Sequence, residues 1–383
     1  MGWTHANPGA PMSVTAKLAD LETPALLLDC RQLQVNLQLM KDRARDLGVT
    51  LRPHAKTAKS IPILELAVDA SCRITVSTLK EAEAAFAAGF SDILYAVGIA
   101  PNKLRRVLDL RRAGCDLCVV LDNVEAARAV SRAAREAELA LPVMIEIDTD
   151  GHRAGIKPEA EDLIAVASAL EAPAVLKGVM THAGESYGCD TQAALQAIAE
   201  LERAGAVRAA ERLRAAGHAC PEVSVGSTPT ALSAVSLEGV TELRAGVYMF
   251  FDLVMAGIGV CATDQIALSV LTTVIGHQAG AGRLIVDAGW MAMSRDRGTA
   301  KQKQDQGYGL VQGHEDLIIL DANQEHGLVG RRDGAALDLS AWPIGSLLRI
   351  LPNHACATAA QYGHYDLIGL EQGPATWPRF SGW

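Results

Sequence analysis

Long hydrophobic runs are missing from this sequence. None approaches the roughly 20 residues that span a bilayer, so no membrane partner is expected. Positive charge is not in excess: 35 Lys and Arg stand against 44 Asp and Glu, a formal net charge of −9. General nucleic-acid binding draws on a basic, phosphate-neutralising surface and is excluded as a class. Residues 1–22 lack the basic start and apolar stretch of a secretory signal and read as a loose leader. The eight cysteines show no disulfide-framework spacing, which leads us to expect a reduced, cytoplasmic compartment. Cys115 and Cys118 have redox-pair spacing but sit beside the apolar run Leu117–Leu121, where buried structural cysteines are the simpler reading. No internal repeat, low-complexity linker or Gly-rich dinucleotide turn is present.

What is present is alternation. At 383 residues the chain is long enough for two domains. Ala25–Leu28 reads as a strand, followed by Leu33, Leu37, Met40, Ala44 and Leu47 at helical spacing up to Gly48. The cycle then repeats. Strands are expected at Val49–Arg52, Ile74–Ser77, Ile93–Ala96, Leu117–Leu121, Val143–Asp148, Leu176–Met180, Glu222–Val225 and Glu242–Ala245, with a long helix from Thr191 to Ala216. After the opening strand this is the alternation that closes a (β/α)₈, TIM-like barrel, placed over residues 30–262. Beyond Gly259 the texture changes to short β-rich runs: Ile266–Ile275, Arg283–Val286, Asp316–Leu320, His326–Val329 and Leu347–Leu351. A C-terminal β domain over 263–383 follows from them.

The chemistry gathers at strand ends. Arg52-Pro53-His54-Ala55-Lys56-Thr57 closes the first barrel strand, and a lysine there is costly unless solvated or used. Taken alone it reads as a loop lysine. The loops after the last two strands, Gly226-Ser227-Thr228-Pro229-Thr230 and Gly246-Val247-Tyr248, are rich in hydroxyls, and their glycines let backbone amides approach an anion. Barrel closure makes these loops neighbours of Lys56, an arrangement that suits a phosphorylated aldehyde bound to the lysine as a Schiff base. Other strand ends add His152, Arg153, His182 and Tyr187. Arg153 could hold the cofactor's phenolic oxygen ionised, and Tyr187 could meet its ring nitrogen. His152 and His182 read equally as satisfied loop histidines. In Pro352-Asn353-His354-Ala355-Cys356, strand alternation puts His354 and Cys356 on one face, and imidazole plus thiolate is a zinc-preferring pair. A bare pair reads more simply as burial. Asp287-Ala288-Gly289-Trp290 is either another wall of the site or an ordinary turn.

From Thr23 onward these residues together resemble the fold-type III pyridoxal-phosphate enzymes, in the group of D-serine dehydratase, D-threonine aldolase and D-3-hydroxyaspartate dehydratase. The resemblance rests on Thr23–Asp29, Arg52–Thr57, Gly226–Thr230, Arg244–Tyr248, Val286–Gly289 and Asn353–Cys356. The stretches Ile74–Glu83 and Trp290–Gly298 are most similar to the D-threo-3-hydroxyaspartate dehydratase branch. It implies an alanine-racemase-like architecture in which strand 23–29 joins the β domain. It also implies that Lys56 carries pyridoxal 5′-phosphate, with His54, Arg153, His182, Tyr187, Gly226, Ser227, Thr228, Gly246, Val247 and Tyr248 around it and Lys56 and Arg153 catalytic. His354 and Cys356 would hold a divalent metal: zinc, or manganese, cobalt or nickel. The implied reaction removes water from a D-3-hydroxy amino acid, converting D-threo-3-hydroxyaspartate to oxaloacetate and ammonia. Alternatives are D-serine dehydration, retro-aldol cleavage to glycine, and a non-catalytic pyridoxal-phosphate carrier. A homodimer is implied, with a monomer as the alternative.

Overall fold

Several helices of the first two thirds of the chain begin where a short polar side chain meets free amides. Asp29, Thr78, Asn123, Thr191 and Ser227 each accept from the first turn of the helix that follows. The helix Cys30–Asp46 buries Leu33, Leu37, Met40 and Ala44, a stripe at helical spacing that faces inward. Residues 18–370 and 375–383 are described in this computed structural model. Most of the expected leader, 1–17, lies outside them. Among the described residues no helix is long and apolar enough to cross a membrane.

Strand β1 (Ala25–Asp29) precedes eight parallel strands: β2 (Thr50–Pro53), β3 (Arg73–Val76), β4 (Asp92–Gly98), β5 (Asp116–Leu121), β6 (Leu141–Ile147), β7 (Ala174–Thr181), β8 (Glu222–Val225) and β9 (Glu242–Ala245). Their order is β2-β9-β8-β7-β6-β5-β4-β3. A parallel bridge from His54 to Thr75 closes the ends, supported by the Ala55 amide donating to the Thr75 carbonyl at 2.8 Å. This is the (β/α)₈ barrel, and its seam closes immediately before Lys56.

One part of the barrel is apolar, with Leu94, Cys118, Val120, Met144 and Met180 in contact. Cys118 belongs to that packing, and burial pushes its thiol up to about 12; Cys115 is buried too, and neither is in a disulfide. Another part is ionic. Arg52 donates to Glu242 at 2.6 Å and to Asp92 at 2.8 Å, and Ser224 links Glu242 to Arg244 with two bonds of 2.6 Å. Buried ion pairs add little net stability, but losing one partner strands the other at a cost of ~3–5 kcal/mol.

The second sheet contains β10 (Leu268–Gln278), β11 (Arg283–Val286), β12 (Leu310–Val311), β13 (Leu317–Ala322), β14 (Gly327–Arg331), β15 (Leu347–Leu351), β16 (His364–Ile368) and β17 (Thr376–Pro378). Its order is β11-β14-β13-β12-β15-β10-β1-β16-β17, and β10 also pairs with β11, so part of the sheet closes on itself. The opening strand β1 lies here, antiparallel to β10 and parallel to β16, away from the barrel it precedes. Asp287, the expected turn or site wall, braces this domain. It accepts from Thr23 at 2.5 Å, from Thr272 at 2.6 Å and from the Thr273 amide at 3.0 Å.

One local expectation is corrected. His354 and Cys356 do not share a strand, because β15 ends at Leu351. His354 is the extended N-cap of the short helix Ala355–Ala359, which carries Cys356 in its first turn. The two side chains meet through a bond between them at this turn from extended backbone into helix, with no strand alternation involved.

Candidate active site

The C-terminal ends of the barrel strands and the edge of the β domain enclose a cavity of about 630 Å³. Lys56 follows β2, Arg153 follows β6, His182 and Tyr187 follow β7, Gly226, Ser227 and Thr228 follow β8, and Gly246 and Val247 follow β9. All of them line the cavity, together with His54, His354 and Cys356. Tyr248 does not. Its ring is fully buried, its hydroxyl has no partner among the described residues, and its amide donates to Thr228 Oγ1 at 3.1 Å.

The two glycine turns differ in why they need glycine. Gly226 has φ +130°, and a Cβ there would lie 2.2 Å from the Arg244 carbonyl oxygen. Its amide is already committed, donating to Glu202 at 3.1 Å, so the close approach serves the packing of β8 on β9. At Gly246 a Cβ would crowd Thr57 Oγ1 at 2.8 Å and His54 Cβ at 3.1 Å. Among the described residues the amides of Thr228, Gly246 and Val247 have no acceptor, and they are the unpaired backbone donors of these turns.

Lys56 is open to the cavity yet deep within the molecule, and its amine has no hydrogen-bond partner among the described residues. Burial lowers its pKa, with Arg153 and Arg244 acting in the same direction and Cys356 opposing them. His54 is held neutral by burial and by the Lys56 charge. Burial likewise takes His182 down to about 3, aided by Lys56. His182 Nδ1 lies 3.0 Å from the Gly226 carbonyl, which can only accept, so Nδ1 carries the proton and Nε2 is bare. The Tyr187 hydroxyl is pushed up by burial and stays neutral; its ring centroid is 6.1 Å from that of His182.

The β-domain wall is polar in another way. His354 Nδ1 is 2.6 Å from Asp296 Oδ2. Although burial opposes its charge, the bonds to Asp296 and Cys356 raise the His354 pKa to about 11. Burial pushes the Cys356 thiol up, but the bond and charge of His354, with the Thr57 bond and the Lys56 charge, together outweigh it and the net shift is downward. Imidazolium beside thiolate is a donor pair that a divalent cation takes up by displacing the shared proton. Among the described residues no group of three or more His, Cys, Asp or Glu side chains is placed to hold a metal. His354 and Cys356 are thus a pair of donors on this wall of the cavity.

Sequence reasoning passed over Glu146, Asp252 and the role of Asp296, all of which line the cavity. A carboxylate inside the apolar run of β6 was a signal for Glu146. Asp252 precedes Leu253-Val254-Met255 as an N-cap would, accepting from Met255 at 3.0 Å; its other oxygen accepts from the Ala355 amide at 2.9 Å. That second bond, across 103 positions, had no local signature.

Two family models match the chain in succession: the alanine racemase N-terminal domain over residues 28–254 and the serine dehydratase domain over residues 267–368. D-threo-3-hydroxyaspartate dehydratase of Delftia sp. (strain HT23) is 56% identical over 96% of this chain and 99% of its own length. D-serine dehydratase of Dictyostelium discoideum is 32% identical over 91% of this chain and 94% of its own. Among solved structures, a cysteine-to-alanine mutant of D-threo-3-hydroxyaspartate dehydratase in the metal-free form superposes with a TM-score of 0.93 at 55% identity, covering 96% of this chain and 99% of that one.

Proposed function

The chain belongs to the fold-type III pyridoxal-phosphate lyases, which join an alanine racemase N-terminal domain to a serine dehydratase domain, and on that premise we propose that it removes water from D-threo-3-hydroxyaspartate, releasing oxaloacetate and ammonia. The observation that carries this reading is the meeting of Lys56, the unpaired amides of the glycine turns and the His354–Cys356 pair on one cavity.

Pyridoxal phosphate, when bound, supplies an electron sink that makes the Cα proton of the amino acid acidic. The residues present fit it. Lys56 would anchor it through its free amine, the amides of Thr228, Gly246 and Val247 would receive its phosphate, Arg153 would hold its phenolic oxygen ionised, and the neutral Tyr187 hydroxyl would meet its ring nitrogen. Lys56 Nζ, once free, takes the Cα proton. Its lowered pKa gives it a larger neutral fraction near neutral pH than an ordinary lysine has. His182, neutral and with Nε2 bare, adds no positive charge beside that amine.

Cys356 and the ring nitrogen of His354 that Asp296 leaves free would hold a divalent cation, which supplies Lewis acidity at the substrate's β-oxygen and eases its departure. Imidazole with thiolate suits zinc; manganese, cobalt and nickel are the alternatives. Proton loss at Cα and hydroxide loss at Cβ leave an enamine acid. Water converts it to the oxo acid with release of ammonia.

The test is to incubate the purified protein with D- and L-serine, D- and L-threonine and the 3-hydroxyaspartate diastereomers, and to identify the products. Oxaloacetate and ammonia from D-threo-3-hydroxyaspartate are expected. Pyruvate from D-serine as the main product would move the reading to a serine dehydratase. Cofactor binding with no turnover would leave only a carrier.

A further inference from the structure

The reading above places an amine after β2 and a metal-ligand pair after β15, on segments of the chain that nothing local holds together. Cys356 Sγ and Thr57 Oγ1, 3.4 Å apart, come from positions separated by 299 residues. Elimination needs the base at Cα and the Lewis acid at Cβ to keep a set separation, since about 1 Å of misplacement can cost on the order of 10²-fold in rate.

We propose that Arg379 is a positioning residue that ties the turn carrying Lys56 to the helix carrying Cys356. The inference rests on the roles given to those two residues under the proposed function. Arg379 follows β17, and its backbone amide is pinned to the Gly363 carbonyl at 2.8 Å. Its Nε donates to the Ala58 carbonyl at 3.2 Å and lies 2.9 Å from the Tyr365 hydroxyl. Its Nη1 donates to the Ala359 carbonyl, at the end of the helix that carries Cys356, and to the Tyr362 carbonyl at 2.9 Å. One guanidinium thus spans the second residue after Lys56 and the third after Cys356. These acceptors are carbonyls and a phenol, so Arg379 acts here as a distributor of hydrogen bonds.

The surrounding bonds repeat the connection. Tyr365, fully buried, donates to the same Ala58 carbonyl at 2.6 Å and packs edge-on against Phe250, 5.6 Å away, in the segment after β9. The Phe380 amide donates to the Lys59 carbonyl, and the Ser60 hydroxyl to the Pro378 carbonyl, each at 2.8 Å. Lys59 is a non-glycine residue at φ +45°, a conformation that persists only when its surroundings impose it. Those bonds and its ion pair to Glu81 at 3.2 Å impose it. Lysine at 379 could not reproduce the span, because a single ammonium lacks the planar fork.

The experiment uses the cofactor- and metal-loaded enzyme with Arg379→Met, Arg379→Lys and Tyr365→Phe, each compared below its unfolding temperature. Arg379→Met is expected to lower kcat on the order of tenfold or more, with KM nearly unchanged and the visible cofactor absorbance retained. Hydrogen exchange should quicken at the Lys59 and Ala360 amides and remain as in the parent at the barrel strands opposite. Arg379→Lys should fall between Met and the parent. If Arg379→Met does not fold, Tyr365→Phe, which removes one donor and keeps the buried ring, should show the same exchange pattern with a smaller loss of kcat. Unchanged kcat in folded variants, or exchange raised uniformly over the chain, overturns the proposal. A parent enzyme inactive on every D-3-hydroxy acid instead refutes the functional reading, and exchange with absorbance then judges the tie alone.

Discussion

The barrel wall and the β-domain wall of the cavity hold their side chains by different means. On the barrel side, Lys56, His182 and the glycine turns stand directly beyond strand ends, where hydrogen-bonded neighbours set where each begins, and Arg153 lies farther out in the loop after β6. The Lys56 turn gains the closing bridge of the sheet as well. On the β-domain side no sheet register reaches His354 or Cys356. Their positions depend on discrete side-chain bonds: Asp252 to the Ala355 amide, Asp296 to His354, and Asn353 to Thr299 at 2.8 Å and to the Gly307 carbonyl at 2.7 Å. The Lys56 wall is therefore part of the architecture, whereas the His354–Cys356 wall is held by bonds that single substitutions can remove.

The contrast is sharpest where the loss is largest. Lys56→Ala should reduce dehydration by a factor on the order of 10³ or more and abolish the visible absorbance, since anchor and base are lost together. Cys356→Ala should also stop dehydration yet keep the absorbance. A Cys356 variant that lost both signals would break the division between the walls. Next comes Asp296→Asn, which keeps the shape but removes the carboxylate on His354 Nδ1. Metal affinity should fall by about 10–100-fold by calorimetric titration, with cofactor affinity unchanged.

Much of this was legible in the sequence, and the limits are physical. The barrel strands announced themselves because parallel strands buried on both faces are apolar runs separated by helical periods. By contrast β12, β16 and β17 are short or polar and gave no such run. Lys56 could be read as misplaced in an apolar setting, whereas His354 and Cys356 were read on a strand that had already ended. A helix begins there instead because Asp252, far away in sequence, accepts from the Ala355 amide. Spacing suggested that Gly226 offers its amide to an anion; Glu202 takes that amide, and no periodicity links the two positions.

Smaller effects test the barrel as a scaffold. Glu242→Ala should destabilise the fold by ~1–3 kcal/mol in urea unfolding, because Arg52 keeps Asp92 but its buried Nε loses its acceptor. A loss below ~1 kcal/mol would mean that water reaches that layer. The slightest expected effect is a pH slope. His182 has a folded pKa of about 3, below its ordinary 6.5, so below pH 6.5 the unfolded chain binds the proton and the native state does not. Its contribution is complete above pH 6.5 and declines as pH falls toward 3, by about 1.4 kcal/mol per pH unit. His182→Asn should flatten the urea midpoint between pH 6.5 and 5 by one proton's worth.

The account's central claim is that both walls serve one elimination, and the direct measurement is ammonia release from D-threo-3-hydroxyaspartate before chelation, after chelation and after metal is restored, with the visible absorbance followed throughout. We predict that release stops on chelation, that the absorbance persists, and that added metal restores oxaloacetate and ammonia in equal amounts. Full release from verified metal-free protein, or glycine and glyoxylate in place of oxaloacetate, would contradict it.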